Sequence, residues 1–274
     1  MKIEWMEMIG QGNTAEIFKY SEGKILKLFR LGLDKRAVER EYLNGCVVQK
    51  ELSNVPRVYE IIEVNGRIGI VYEEVIGIDL LKIMTRSLRK MKKYAKNLAQ
   101  YHLDIQISLP NKGMLSVKDK LKEDLSQVDI LSDNEMITIR KYLEKLPDGN
   151  MLCHFDFHPG NVIMVKEKAI YLDWMTACIG DTCADIARTS LLLKHGEIPQ
   201  ASWISRKIVS IFQRYIYKIY IREYLKISGK RIEDINKWEL PIAAARLREW
   251  IPESEKKVLL KFIYKQCHEK NYSK

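Results

Sequence analysis

Apolar positions alternate with polar ones through the first 75 residues and then recur at helical spacing, so a strand-rich start is followed by a mainly helical remainder. Ile9 to Phe18 reads as strand, glycine turn, strand, and Lys24 to Phe29 as a third short strand. The spacing predicts a helix over 34–50, with Asp34 as N-cap and Val38, Tyr42, Cys46 and Val47 as its apolar stripe. Val58–Ile62 and Arg67–Tyr72 form a predicted hairpin through Asn65-Gly66. Glu73 to Gly77 crosses into the second part, where Lys93 to Ile107 is helical. Short strands are expected within 151–165 and over 169–172. Long amphipathic helices are expected over 203–226, 235–250 and 253–270. Pro241 marks the true start of the second, as a first-turn proline, and Pro252 separates the last two.

Charge changes this picture little. The chain carries a formal net charge of +10. Much of the excess lies in Arg86, Arg89, Lys90, Lys92, Lys93 and Lys96, and in Arg214, Lys218, Arg222 and Lys226, which are spaced by four on one helical face. Neither cluster has the aromatic and glycine interleaving of an RNA module, so both read as solvated helix faces and no nucleic-acid partner is expected. No apolar run reaches the ~18 residues of a membrane span, so no membrane partner is expected either. The N-terminus lacks a signal-peptide core, and the five cysteines have no framework spacing. Together these predict a cytoplasmic protein with packing thiols.

The chemistry concentrates in His154-Phe155-Asp156-Phe157-His158-Pro159-Gly160-Asn161, followed by Ile170-Tyr171-Leu172-Asp173-Trp174. An Asp with an Asn five residues on, and a second Asp after a short apolar run, suit phosphoryl transfer from a nucleotide. Asp156 would orient the attacking hydroxyl and take its proton. Asn161 and Asp173 would hold Mg²⁺, since their oxygens suit magnesium better than zinc. His154 reads as a loop anchor and His158 as a hydrogen-bonding member of the loop. Gly10 and Gly12 would let backbone N–H groups approach phosphates. Lys27 shares a strand face with Ile25 and Phe29 and should point into a cleft. A buried ammonium there needs a carboxylate partner.

These residues, with Gly180-Asp181-Thr182-Cys183-Ala184-Asp185-Ile186-Ala187, resemble the aminoglycoside phosphotransferase and choline kinase-like superfamily. Its usual signature is close to H-G-D-x-H-P-G-N, then D-W/F, then G-D-P-x-x-D-L-A. Phe155 replaces the common Gly and Thr182 the common Pro. The resemblance implies an α+β, bilobal protein kinase-like fold: a nucleotide-binding lobe over 1–75, a linker over 76–80, and a helical lobe over 81–274. It implies ATP or GTP as donor, with Lys27 on the α/β-phosphates. Glu41 is the expected partner of Lys27 because Arg40-Glu41-Tyr42 resembles the family's R-E-x, with Glu39 as competitor. Backbone groups of Glu73 and Val75 would face the purine, and Asp181 and Asp185 would brace the catalytic loop.

A protein kinase fits less well. Phe155 stands where the Arg that answers a phosphorylated activation loop would be, and seven residues separate Asp173 from Asp181. The expected activity is transfer of a γ-phosphate to a hydroxyl of a small molecule, an antibiotic or a metabolite. The alternatives are an aminoglycoside-specific resistance kinase and a catalytically silent nucleotide-binding protein. Trp238, Trp250 and Tyr217 read as core residues, or as a stacking wall or amine cage.

Overall fold

The computed structural model describes residues 6–12, 14–109, 113–196 and 203–271. Its elements are β1 (Met8–Gln11), β2 (Ala15–Ser21), β3 (Lys24–Phe29), α1 (Lys35–Glu51), β4 (Val58–Val64), β5 (Arg67–Glu73), β6 (Ile78–Asp79), α2 (Leu80–Met84), α3 (Leu88–Ile105), α4 (Val117–Leu125) and α5 (Asp133–Glu144). Then follow β7 (Met151–Cys153), β8 (Val162–Val165), β9 (Lys168–Tyr171), β10 (Cys178–Gly180), α6 (Thr182–His195), α7 (Trp203–Ser228), α8 (Ile232–Asn236), α9 (Glu239–Arg246) and α10 (Glu253–Asn271). The fold is mixed α/β, with an antiparallel sheet at the N-terminal side and a helical C-terminal part. Two compact units divide the chain. One is Met1–Ile83 with Pro159–Ala177; the other is Met84–His158 with Cys178–Lys274.

In the first unit, five antiparallel strands run in the order β1-β2-β3-β5-β4. Asn65 (φ 51°) and Gly66 (φ 72°) supply the two left-handed residues that a tight hairpin between β4 and β5 demands. Phe18, Leu26, Leu28, Val64 and Val71 pack on one face of the sheet. Ala15, Phe29, Val58 and Ile70 pack on the other, with Val38 of α1. A Cβ on Gly45 would come within 2.6 Å of Val58 Cγ2, so glycine lets α1 lie close against β4. Asp34 does cap α1, accepting from Arg36 N at 2.9 Å. Val38, Tyr42 and Cys46 of the expected stripe pack into this core, but the rest of the buried face differs. Val48 is buried rather than Val47, and beside it lie Glu41 and Asn44. An apolar count could not phase this helix, because polar groups with partners fill part of its inner face. A second sheet, β6-β8-β9, completes the unit and turns at Lys166 (φ 56°).

In the second unit, β7 pairs with β10, and helices supply most of the core. The helix expected over 235–250 is two: α8 ends at Asn236 and α9 begins at Glu239. Pro241 has no N–H to return to the carbonyl of Lys237, and the interruption falls there. Trp238 is 1% exposed, whereas Trp250 is 78% exposed. All five cysteines are free, and all but Cys46 are buried. Among the described residues, no helix is long and apolar enough to cross a membrane.

Candidate active site

In the first unit, strand alternation aims Lys27 at α1. Its ammonium lies 2.7 Å from Glu41 Oε1 and 3.2 Å from Asp173 Oδ1. Glu39, the competitor, is half exposed and lies 3.7 Å from Lys35 instead. Burial alone would pull the Lys27 pKa down, but Asp173 and Glu41 outweigh it and hold the amine above its ordinary value. Lys27 is therefore a fixed cation. Tyr72, on β5, donates its hydroxyl to the same Glu41 oxygen at 2.7 Å. Asn44, three residues beyond Glu41 and on the same helix face, donates to the carbonyls of Trp174 at 3.1 Å and Ala177 at 3.0 Å. One helix thus holds both the lysine and the segment following Asp173.

Asp173 takes a left-handed φ of 63°, and its side chain is 41% exposed. The Asn161 carbonyl accepts from the N–H of Leu172 at 2.9 Å, which sets Asn161 opposite the residue that precedes Asp173. The turn between β1 and β2 is closed by a bond from Gly12 N–H to Ala15 O at 2.8 Å. Asn13 of that turn lies outside the described residues. Beyond β5, Glu73 uses its carboxylate on Arg57 N–H at 3.1 Å. Among the described residues, the N–H and C=O of Val75 have no hydrogen-bond partner. A cavity of about 730 Å³ is lined by Glu73, Val75 and the β8–β9 turn, but not by Gly10, Gly12, Lys27, Glu41 or Asp173.

The second unit holds Asp156, whose loop is gripped by one face of α6. Asp185 accepts from His154 N–H and Phe155 N–H, each at 2.8 Å. Thr189 donates its hydroxyl to Phe157 O at 2.9 Å, and Arg188 Nε donates to Phe155 O at 3.3 Å. Phe155 has φ 64°, the conformation that glycine adopts freely and that L side chains resist. The common glycine of the signature has its reason here, and the α6 bonds hold Phe155 to the same path. Asp185 is fully buried, with His102 Nε2 at 2.9 Å. Burial would raise its carboxyl pKa, but His102 and the Phe155 N–H outweigh that and hold it below the usual range. Tyr220 lies 2.7 Å from the other His102 nitrogen. Asp181 caps α6 through Cys183 N–H at 2.9 Å and accepts from the Trp238 indole at 3.2 Å.

Asp156 itself is partly exposed. His158 Nε2 lies 3.7 Å from one oxygen and Arg188 Nη2 lies 4.0 Å from the other. Sequence reasoning did not single out Asn44, Tyr72, Arg188 or Thr189. The available signals were spacings: Asn44 follows Glu41 by three, and Arg188 and Thr189 follow Asp185 by three and four.

A lysine pinned by two carboxylates, one on a helix and one after a short hairpin, is the arrangement of an enzyme that handles phosphates. A sequence model described as the phosphotransferase enzyme family matches residues 9–210. The chain belongs to that family. By family it is a small-molecule kinase. Solved structures share the fold of this phosphotransferase. Aminoglycoside-3'-phosphotransferase of type VIII aligns with TM-score 0.65 and 15% identity over 88% of this chain and 93% of its own. A thermostable mutant of aminoglycoside phosphotransferase APH(4)-Ia, in complex with AMP-PNP and hygromycin B, aligns with TM-score 0.62 and 13% identity over 98% and 95%. A choline/ethanolamine kinase family protein from Mesorhizobium loti aligns with TM-score 0.54 and 13% identity over 97% and 87%. At such identities these likenesses speak for the fold alone. No curated protein sequence matches the phosphotransferase.

Proposed function

We propose that the phosphotransferase moves the γ-phosphoryl group of ATP or GTP to a hydroxyl of a small molecule, with Asp156 orienting that hydroxyl. The observation that carries the reading is the Lys27 ammonium held between Glu41 and Asp173. An ammonium has three N–H donors, and these two carboxylates engage two of them, leaving one for a phosphate oxygen. Glu41 and Tyr72 fix its direction, so the charge is in place before the nucleotide arrives. The unused N–H and C=O of Val75 suit a purine edge, whereas the Glu73 N–H is given to Arg57 O; the glycine turn that holds Gly10 and Gly12 suits the phosphates by leaving room for them, the Gly12 N–H itself being given to Ala15 O. Structures of the same fold hold ATP, AMP-PNP or GDP, which supports a nucleotide donor.

Mg²⁺ fits the donor set. Asp173 offers an exposed carboxylate and Asn161 an amide oxygen, both hard ligands. Two protein ligands suit a Mg²⁺ ion, which would complete its shell with phosphate oxygens and water. When bound, the ion neutralises charge on the phosphates. The chain's own steps are simpler. Asp156 accepts a hydrogen bond from the acceptor hydroxyl and takes its proton as the new P–O bond forms and the bond from the γ-phosphorus to the bridging oxygen breaks, releasing the nucleoside diphosphate. Because the transition state is loose, position outweighs basicity.

The test is Mg²⁺-dependent transfer from ATP and from GTP to a mixed panel of hydroxyl compounds, read by mass spectrometry. Product should form and should vanish when EDTA removes the metal. Tight nucleotide binding with no product from any acceptor would favour the silent binding protein. The Lys27→Met exchange should lower kcat/KM for the nucleotide by about 10- to 100-fold, the value of one hydrogen bond from a charged donor. An unchanged kcat/KM in steady-state assays would remove Lys27 from the phosphate site.

A further inference from the structure

The glycine turn between β1 and β2 is tied down by a residue that the phosphate chemistry does not call for. Glycine loses more conformational freedom on ordering than any other residue, so a glycine turn left alone is costly to fix. Both backbone polar groups of Gly12 are nevertheless engaged. Its N–H is given to Ala15 O at 2.8 Å, and its carbonyl accepts from Arg30 Nη2 at 3.3 Å. The same Nη2 reaches Gln11 Oε1 at 3.5 Å, and the main-chain N–H of Arg30 is given to Thr14 O at 2.9 Å. Arg30 therefore grips the turn at both ends.

Arg30 is itself anchored. Glu16 Oε1 lies 3.3 Å from its Nη1, and Glu16 Oε2 accepts from Arg67 Nη2 at 2.8 Å. Arg67 is fastened to β3, donating to Phe29 O at 2.9 Å and to Leu28 O at 3.2 Å. A chain of contacts thus runs from the carbonyls of β3 through Arg67, Glu16 and Arg30 to Gly12. Glu16 stands opposite Gln11 on one side and Leu28 on the other. Leu28 packs on the sheet face opposite to that of Phe29, and Lys27 shares the face of Phe29 by alternation. The chain therefore crosses the face turned away from the Lys27 ammonium and can act on phosphates only through the turn. Arg30 is half exposed, and an exposed ion pair contributes little to stability. What it fixes is shape: a turn already held need not be ordered when the nucleotide arrives.

We infer that Arg30 is a positioning residue for the phosphates of the donor nucleotide, holding the glycine turn in its binding shape with Glu16 as anchor. This deepens the kinase reading and rests on it. It is tested by calorimetric titration of the full-length protein with Mg-ADP and Mg-GDP, and with adenosine and guanosine as probes without phosphate. Arg30→Ala should weaken the tighter diphosphate about tenfold, leave its nucleoside within about twofold, and leave the melting temperature close to that of the parent. Arg30→Lys should restore part of the loss. Glu16→Gln separates shape from charge. It removes a negative charge, so a guanidinium that served only to attract phosphate would bind the diphosphate more tightly. A guanidinium that acts through the turn loses its anchor, and the diphosphate should bind about threefold or more weaker. Unchanged diphosphate affinity in Arg30→Ala would overturn the inference. So would an equal loss for the nucleoside, or tighter binding in Glu16→Gln. The kinase reading fails separately: a diphosphate would then bind with this dependence on Arg30, yet no acceptor would receive phosphate. A parent that binds neither diphosphate overturns both.

Discussion

The Asp156→Asn exchange should lower kcat by about 10²- to 10⁴-fold, the usual worth of a positioned proton acceptor. The amide is nearly isosteric, and Asp185, Arg188 and Thr189 hold the loop by bonds to the backbone on either side of residue 156. Circular dichroism and nucleotide KM should accordingly stay close to those of the parent, and the loss should appear in kcat. A variant with kcat within about threefold of the parent would show that Asp156 is not the group that meets the hydroxyl.

Asp185→Asn should act on the fold instead. The carboxylate is fully buried, binds two backbone N–H groups and faces His102. Its replacement leaves these partners short of an acceptor, at a cost of about 3 kcal/mol in denaturant unfolding at pH 7. The pH dependence has a definite sign. Because the folded carboxyl is held below its ordinary pKa, its stabilisation is fully present above the unfolded value of about 4 and fades as pH falls through the folded one. The gap in midpoint between parent and variant should be widest near neutrality and shrink in acid. A gap that stayed constant from pH 7 down to about pH 3 would mean that the charge on Asp185 contributes nothing.

Where local chemistry decides, the sequence was a good guide. Asn65-Gly66 marks a hairpin because both residues tolerate positive φ, Asp34 caps α1, and the bounds of β3 follow from one apolar run. Lys27 was legible because a strand alternates and a lone cation among apolar neighbours needs a carboxylate. Tyr72, Asn44 and Arg188 were not legible, because their partners are 31, 130 and 33 residues away in the chain. Hydrophobic periodicity also misassigned part of the inner face of α1, where Glu41 and Asn44 are buried for their hydrogen bonds. Trp238 and Trp250 could not be told apart by residue type, because Pro241 interrupts the periodicity that would have phased them.

Asn44 has one more consequence. In many signalling enzymes, output is switched by swinging a helix like α1 outward. Here that movement would break the grip of Glu41 on Lys27 and the Asn44 bonds to Trp174 and Ala177 in a single event. Such a helix is a poor lever and a good strut. The throughput of this enzyme should follow the supply of its two reactants rather than an on–off command.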